Sequence, residues 1–192
     1  MTKSRENYQE RNIIVPKAVQ GYLTASECHR ISSMRGKLPR MEGKVGPQTK
    51  YESDYRRSEI YWIPACGETE WIFNKIHLLV MQANKHYQFH LTGFREDFQL
   101  ATYASEGYFE WHMDLGVNKR KSTRKLSVTV QLSEQSEYDG GDLEFFGFKD
   151  APMPRQIGSA IVFPSFLLHR VTPVISGTRQ SLVAWAHGPT LR

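Results

Sequence analysis

The feature that most constrains the fold is a change of pattern at residue 97. From there onward, short segments rich in Val, Thr, Phe and Tyr alternate with turn residues, which is typical of β-strands. The segments are FQLATYAS, GYFEWHMD, KLSVTVQLS, GDLEFFGF, RQIGSAIVFP, LLHRVTPV and TRQSLVAWAH. Because two helical segments precede them, the sequence predicts a mostly β chain of the α+β class. We expect a sheet sandwich or barrel with the helices packed outside.

Two different signals predict the helices. In LTASECHRISSMRGKL, Thr24 stands three residues before Glu27, the spacing of a capping box at a helix N-terminus. In ETEWIFNKIHLLVMQANKHYQF, apolar residues recur at intervals of three and four, the period of an amphipathic helix. Residues 36–58 lie between the two helices and are rich in Gly, Pro and charge. They predict a long loop, which often serves as a lid over a binding site.

The chain length of 192 residues fits one domain. We therefore expect a single domain over 1–192, in which 1–95 supply supporting helices and a lid and 96–192 supply the core strands. The N-terminal stretch MTKSRENYQE lacks the apolar centre of a signal peptide, and no run reaches the roughly 18 apolar residues of a membrane helix. These features predict a cytoplasmic protein with no membrane partner. They leave the oligomeric state open.

The net charge of +5 is concentrated in the run KRKSTRK, residues 119–125. Such a charge raises the question of an acidic partner such as nucleic acid. A run of this kind is usually a solvated loop. Its closeness in sequence to His112 leaves a second interpretation open, a docking patch for a substrate.

The segment KLSVTVQLS alternates strictly between apolar and polar residues. Leu and Val occupy every second position from 126 to 132, and Ser127, Thr129 and Gln131 lie on the opposite face of the predicted strand. On an exposed strand that polar face would meet solvent, whereas in a barrel it would line a polar cavity. The alternation alone does not distinguish the two.

A possible metal site is indicated by EGYFEWHMDLG. His112 and Asp114 are two residues apart in a predicted strand, so their side chains point to the same side. His169, in the apolar segment FPSFLLHRVTPV, is the candidate third ligand. Two His and one carboxylate form the facial triad of non-haem Fe(II) oxygenases. A Zn(II) hydrolase could use the same three residues, but it would also need a general base, for which only Glu110 is near in sequence.

Arg179 follows His169 by ten residues. If the chain returns antiparallel after VTPV, Arg179 comes back near the metal, where a guanidinium could hold a carboxylate bidentately. An Fe(II) site beside such a cation describes a site for 2-oxoglutarate, whose 2-oxo acid end would chelate the iron and whose distal carboxylate would meet Arg179.

The pattern HxD…H with an arginine ten residues later resembles the 2-oxoglutarate- and Fe(II)-dependent dioxygenases. The resemblance is closer to the prolyl 4-hydroxylase-like branch and its bacterial and phage relatives. It is carried by QLATYASEGYFEWHMD, LSVTVQLSEQSEYDGGDLEFF and GSAIVFPSFLLHRVTPVISGTRQSLVAWAHG. It implies a double-stranded β-helix, or jelly roll, that uses Fe(II), 2-oxoglutarate and O2. It assigns the iron to His112, Asp114 and His169 and the distal carboxylate to Arg179.

The resemblance also implies roles for residues around the cosubstrate. Tyr103 matches a tyrosine that reaches toward the cosubstrate. Gln131 stands where some relatives have a tyrosine that contacts the distal carboxylate. Ser127 and Thr129 would share its inward polar face, and Trp185 falls where relatives place an aromatic residue beside the iron.

The implied reaction is hydroxylation of an unactivated C–H bond, with succinate and CO2 as co-products. The branch suggests a prolyl residue of a peptide or protein, with Tyr61, Trp62 and Trp185 as candidate substrate contacts beside the predicted lid. Three alternatives stay open: a free amino acid or other small metabolite as substrate, nucleic-acid demethylation, and a barrel that binds a ligand without catalysis. Demethylases of this superfamily have a further arginine past the distal His–Arg pair, and here only Arg192 is available. The sequence therefore argues against nucleic acid as a partner.

Overall fold

The computed structural model of the chain describes residues 15–42, 55–148 and 152–190. Within these ranges it has two α-helices, α1 (Ala25–Ser33) and α2 (Glu70–Tyr87). Its strands, in chain order, are β1 (Lys17–Val19), β2 (Arg40–Glu42), β3 (Arg56–Arg57), β4 (Glu59–Ile63), β5 (Gly93–Phe94), β6 (Phe98–Tyr103), β7 (Tyr108–His112), β8 (Arg124–Gln131), β9 (Tyr138–Gly140), β10 (Leu143–Phe145), β11 (Ala160–Pro164), β12 (His169–Val171), β13 (Val174–Gly177) and β14 (Arg179–His187).

The strands described form three antiparallel sheets. The large sheet has the order β1–β11–β8–β14–β6–β4–β2, and β5 pairs with β14. The small sheet has the order β10–β12–β7–β3, and β9 pairs with β13. Strands distant in sequence are thus neighbours in space, so residues from widely separated segments meet on one face.

Helix α1 begins, and helix α2 packs, as their sequences indicate. Thr24 Oγ1 accepts a hydrogen bond from the backbone N–H of Glu27, and the Glu27 carboxylate accepts one from the backbone N–H of Thr24, so the predicted capping box is present. The apolar face of α2 is buried, as its period predicts. With Cys28 and Ile31 of α1, that face packs against the alternate Leu and Val residues of β8. The helices therefore cover one face of the large sheet.

The other face of the large sheet is covered by the small sheet. Ile161 and Phe163 of β11 pack against Leu143 and Phe145 of β10, and a second apolar cluster joins β4 and β6 to β7 and β12. The polar residues of β8 lie between the two sheets. The polar face of KLSVTVQLS is therefore interior and does not meet solvent, which decides between the two alternatives that the sequence left open.

The prediction of a mostly β chain with two helices is confirmed. The predicted loop over residues 36–58 contains β2 and β3 at its two ends, and residues 43–54 lie outside the described part of the chain. No helix among the described residues is both long and apolar enough to cross a bilayer.

Candidate metal centre

Strand pairing brings the two predicted histidine ligands together. β7 pairs with β12 so that His112 lies opposite His169, and their ring centroids are 4.1 Å apart. Asp114 follows β7 by two residues and is also buried. One ligand atom from each of the three side chains lies within 4.8 Å of the others. Among the described residues this is the cluster that could hold a metal ion.

The orientation of both imidazoles suits metal binding. His112 Nδ1 lies 2.7 Å from the carbonyl oxygen of Glu110, and His169 Nδ1 lies 2.8 Å from that of Leu167. A Nδ1–H that donates to a carbonyl leaves the Nε2 lone pair free for a metal. The two Nε2 atoms lie 3.9 Å and 3.7 Å from the carboxylate oxygens of Asp114. Two ligands about 2.1 Å from one ion can be at most about 4.2 Å apart, so these distances fit a shared metal.

The carboxylate of Asp114 is held by Ser127 of β8, which also contacts Ser165 in the turn after β11. Ser127 Oγ donates to Asp114 Oδ2 over 2.6 Å and lies 3.0 Å from Ser165 Oγ. The backbone carbonyl of Ser165 accepts from the N–H of Leu115, which fixes the chain next to Asp114. Ser127, which the resemblance placed among the residues around the cosubstrate, therefore contacts a candidate metal ligand. Ser165 was not singled out by any sequence pattern.

The electrostatics of the cluster favour the protonation states that bind metals. Burial, and then the proximity of His169, lower the pKa of His112 to about 3, so its imidazole is neutral near pH 7. Burial raises the pKa of Asp114, but His169, His112, Arg124 and the Ser127 hydrogen bond outweigh it and lower the pKa to about 2. A neutral imidazole and an ionised carboxylate are the ligand forms that metal binding requires.

Arg179 lines the same cavity as this cluster, but the strand pairing that places it there is not the one expected. The strand with His169 and the strand with Arg179 do not pair: β12 belongs to the small sheet and β14 to the large sheet. Arg179 pairs with Tyr103 of β6, and its side chain points into the space between the sheets. The two sheets face each other, so Arg179 reaches the cavity all the same.

The Arg179 guanidinium is buried without a counter-charge among the described residues. The residue is 1% exposed, and its Nη2 donates to Gln131 Oε1 over 3.0 Å. Its Nε and Nη1 have no hydrogen-bond partner in the described part of the chain. Arginine stays charged in proteins, and a buried charge is costly unless it is paired. These donors therefore fit a carboxylate ligand.

The cavity beside the cluster has a volume of about 200 Å³. Of the residues with predicted cosubstrate or substrate roles, Tyr103, Thr129, Trp185 and Trp62 line it. Tyr61 does not: its ring packs in the core on the helix side of β4, and its hydroxyl donates to Glu59. Adjacent strand residues point to opposite faces, so Trp62 alone of this pair faces the cavity.

A buried ionic network lies behind the cavity, and no sequence pattern indicated it. Arg124 donates to both oxygens of Glu96 over 2.7 Å, and its guanidinium carbon lies 3.7 Å from the ring centroid of Trp185. Its Nη1 also donates to the carbonyl of Asp114 over 3.3 Å. His187, which has no place in the metal motif, is fully buried with Nε2 3.1 Å from Glu96 Oε1.

The basic run at 119–125 does not behave as one unit. Lys119 and Arg120 are exposed, as a solvated loop predicts, whereas Arg124 and Lys125 are buried at the start of β8. Lys121 is partly buried and lines the cavity. The run is therefore divided between surface and interior.

Comparison with known proteins agrees with this geometry. Residues 98–187 match the family model described as the 2OG-Fe(II) oxygenase superfamily. The matched range contains His112, Asp114, His169 and Arg179. It confirms the resemblance drawn from the HxD…H pattern, with Fe(II), 2-oxoglutarate and O2 as the cofactor and cosubstrates of the family.

Relatives by sequence are PKHD-type hydroxylases. One from Alteromonas mediterranea is 33% identical over 89 residues, which cover 43% of this chain and 39% of the relative. Another, from Synechococcus sp., is 41% identical over 83 residues, which cover 42% and 36%. The match thus spans only about two fifths of the length of these curated relatives.

Solved structures resemble almost the whole chain in fold. A prolyl-4-hydroxylase from Pseudomonas putida has a TM-score of 0.70 at 19% identity, covering 92% of this chain and 94% of that one. A viral collagen prolyl hydroxylase from Paramecium bursaria Chlorella virus-1 has a TM-score of 0.68 at 22% identity, covering 91% and 96%. At these identities the likeness concerns the fold.

Proposed function

We propose that the 2OG-Fe(II) oxygenase domain in this chain hydroxylates a prolyl residue of a peptide or protein and releases succinate and CO2. The observation that carries the proposal is the convergence of a His–Asp–His cluster and a buried, uncompensated arginine on one cavity. The prolyl substrate is supported by the names of the sequence relatives and by the fold likeness to prolyl hydroxylases. We further propose that the chain forms one domain and that its facing sheets are a jelly roll.

In this proposal His112, Asp114 and His169 hold the iron through two Nε2 atoms and one carboxylate oxygen. Fe(II) with 2-oxoglutarate and O2 supplies the oxidising chemistry, in which one oxygen atom enters a substrate C–H bond while 2-oxoglutarate becomes succinate and CO2. Ser127 keeps the Asp114 carboxylate in place by its hydrogen bond. In other metalloproteins, removal of such a contact behind a metal ligand typically lowers metal affinity about 10- to 100-fold.

Arg179 binds and orients the cosubstrate. Its free Nη1–H donors would meet the distal carboxylate, while Nη2 donates to Gln131 and so holds the guanidinium in place. Tyr103 and Thr129 line the same cavity as Arg179 and the cluster. Trp62 and Trp185 face the same cavity, and their ring centroids are 6.3 Å apart. In this proposal both rings contact the substrate. Tyr61 has no part in this arrangement.

The test is succinate formation by protein loaded with Fe(II) and 2-oxoglutarate without oxygen and then exposed to air. We expect slow turnover by the wild type, none by His112→Ala, and a raised 2-oxoglutarate requirement in Arg179→Ala. His77→Ala, on the exposed face of α2, is the matched control and keeps wild-type turnover. Wild-type protein that binds neither iron nor 2-oxoglutarate would refute the proposal.

The substrate is tested separately by mass spectrometry of proline-containing peptides after turnover. A gain of 16 Da on proline that depends on 2-oxoglutarate supports prolyl hydroxylation. Product on free amino acids alone would instead assign a small-metabolite substrate.

A further inference from the structure

The charged side chains that line the cavity are strongly unbalanced. Among the described residues, one carboxylate lines it, that of Asp114, against four cationic side chains. The cations are Arg56, Lys121, Arg124 and Arg179. A cavity with an excess of one sign attracts ligands of the opposite sign.

Cofactor and cosubstrate account for only part of this excess. The pair with Glu96 compensates Arg124. Under the proposed function, the distal carboxylate of 2-oxoglutarate compensates Arg179. Asp114 and the other carboxylate of 2-oxoglutarate together offset the two charges of Fe(II). Two cations, Arg56 and Lys121, are left without a counter-charge from the described residues.

Arg56 is directed to the cavity rather than to a carboxylate. Its Nε donates to Ser58 Oγ over 2.7 Å, and its guanidinium carbon lies 4.4 Å from the ring centroid of Phe109, which also lines the cavity. No carboxylate of the described residues is within ion-pair distance of it. The adjacent Arg57 points the other way, and its Nη1 lies 2.6 Å from Glu106 Oε2. Arg57 is thus paired outside the cavity, whereas Arg56 lines the cavity with no ion-pair partner in the described part of the chain.

Lys121 lines the same cavity as Arg56 but comes from a different segment, the short turn before β8. Its side chain lies against Gly116, where an added Cβ would be 3.1 Å from its Cδ. Burial, and then the charge of Arg124, lower the pKa of Lys121, and the charge of Arg56 acts in the same direction. Asp114 and Glu96 oppose this only in part. An anion bound beside Lys121 would relieve the cost of its charge.

We propose that Arg56 and Lys121 together recognise a carboxylate of the prime substrate, so that this oxygenase selects an acidic substrate. The inference rests on the proposed function, because the charge balance assumes bound Fe(II) and 2-oxoglutarate. The carboxylate has two possible sources: an Asp or Glu side chain near the reacting residue of a peptide, or a free amino acid.

The inference is tested by measuring how tightly probe peptides and amino acids bind to protein loaded with Fe(II) and 2-oxoglutarate. Binding is measured under nitrogen, by tryptophan fluorescence or calorimetry. The probes are end-blocked peptides with one central proline flanked by Glu, by Gln or by Lys, together with free L-glutamate and L-glutamine. We expect the Glu peptide to bind about tenfold more tightly than the Gln peptide, as one charge-assisted contact allows. The preference should weaken at high salt, because both cations are partly exposed.

Variants locate the effect. Arg56→Met and Lys121→Met should each reduce the preference for Glu over Gln to less than about threefold, whereas the matched Arg57→Met and Lys119→Met should retain it. Lys121→Glu should shift the preference toward the Lys peptide. A preference for L-glutamate over L-glutamine, without one among the blocked peptides, would support the inference with a small acid as the source.

The same preparations separate the inference from the proposed function. Basal succinate formation without any probe reports the proposed function alone. Equal binding of the Glu and Gln probes, or binding of none of them, with basal turnover intact, overturns the inference and leaves the proposed function standing. Wild-type protein without basal turnover or 2-oxoglutarate binding overturns both. A preference for Glu that survives in Arg56→Met and Lys121→Met overturns the assignment to these residues.

Discussion

Replacement of Glu96 by Gln should reveal how strongly the buried network stabilises the fold. The Glu96 side chain is 5% exposed and contacts both Arg124 and His187. Burial raises the pKa of its carboxyl group, but the proximity of His187 and the hydrogen bonds from Arg124 outweigh it and lower the pKa from 4.5 to about 2. One pKa unit corresponds to about 1.4 kcal/mol, so the ionised carboxylate contributes about 3 kcal/mol to folding at neutral pH.

The sign of the pH dependence follows from the lowered pKa. A depressed carboxyl pKa gives stability that is fully present above the unfolded pKa near 4.5 and is lost as the pH falls through the folded pKa near 2. Glu96→Gln should therefore lower the free energy of unfolding by about 3 kcal/mol at pH 7. The difference from wild type should shrink by about 1.4 kcal/mol per pH unit between about pH 4 and pH 3.

The assay is urea denaturation of both proteins across this pH range. Glu144→Gln is the matched control, because Glu144 also pairs with an arginine that covers a tryptophan, Arg170 over Trp111, but at the surface. It should cost less than about 1 kcal/mol at any pH. A cost for Glu96→Gln no larger than that of the control, or one that does not change with pH, would refute the reasoning.

Two further substitutions test the supports of the site. Ser127→Ala removes the hydrogen bond to Asp114 Oδ2 and should weaken Co(II) binding about tenfold in a spectroscopic titration, with 2-oxoglutarate affinity of the loaded protein little changed. Gly141→Ala puts a Cβ on a residue with φ +64°, 3.0 Å from Cδ of Arg179, and should destabilise the fold by about 1–3 kcal/mol and raise the 2-oxoglutarate requirement. Unchanged melting temperature and 2-oxoglutarate binding in Gly141→Ala would show that the turn accommodates the methyl group.

The parts of this molecule that the sequence predicted are those set by local pattern. The capping box at Thr24, the apolar period of the second helix and the alternation in β8 depend on residues a few positions apart. The ligand pair His112 and Asp114 was also a local signal, because a spacing of two fixes the relative direction of strand side chains. His169 joins this pair only through the pairing of β7 with β12, which is not a local signal.

The parts that the sequence could not predict depend on which strands meet. Glu96, Arg124 and His187 are scattered over 92 residues, and none has a spacing that marks it. Arg124 belongs to a basic run whose members are divided between the surface and the interior, so the run itself does not indicate which of them are buried. Its burial follows from the position of β8 beside β14, which places its guanidinium over Trp185 and beside the carboxylate of Glu96.

The aromatic pair Tyr61–Trp62 illustrates the limit most directly. Strand geometry requires that one of two adjacent side chains face the helices and the other face the cavity, so both could not contact a substrate. Residue type alone does not decide between them, because both rings are apolar enough for a core and polar enough at one end for a binding site. The choice is made by register: Trp62 lies opposite Gln99 of β6, which also lines the cavity, and Tyr61 lies opposite Leu100, which belongs to the helix-side core. Residue roles on a two-sided sheet therefore follow from strand pairing, and the polar partner across the strand is the signal that identifies the functional face.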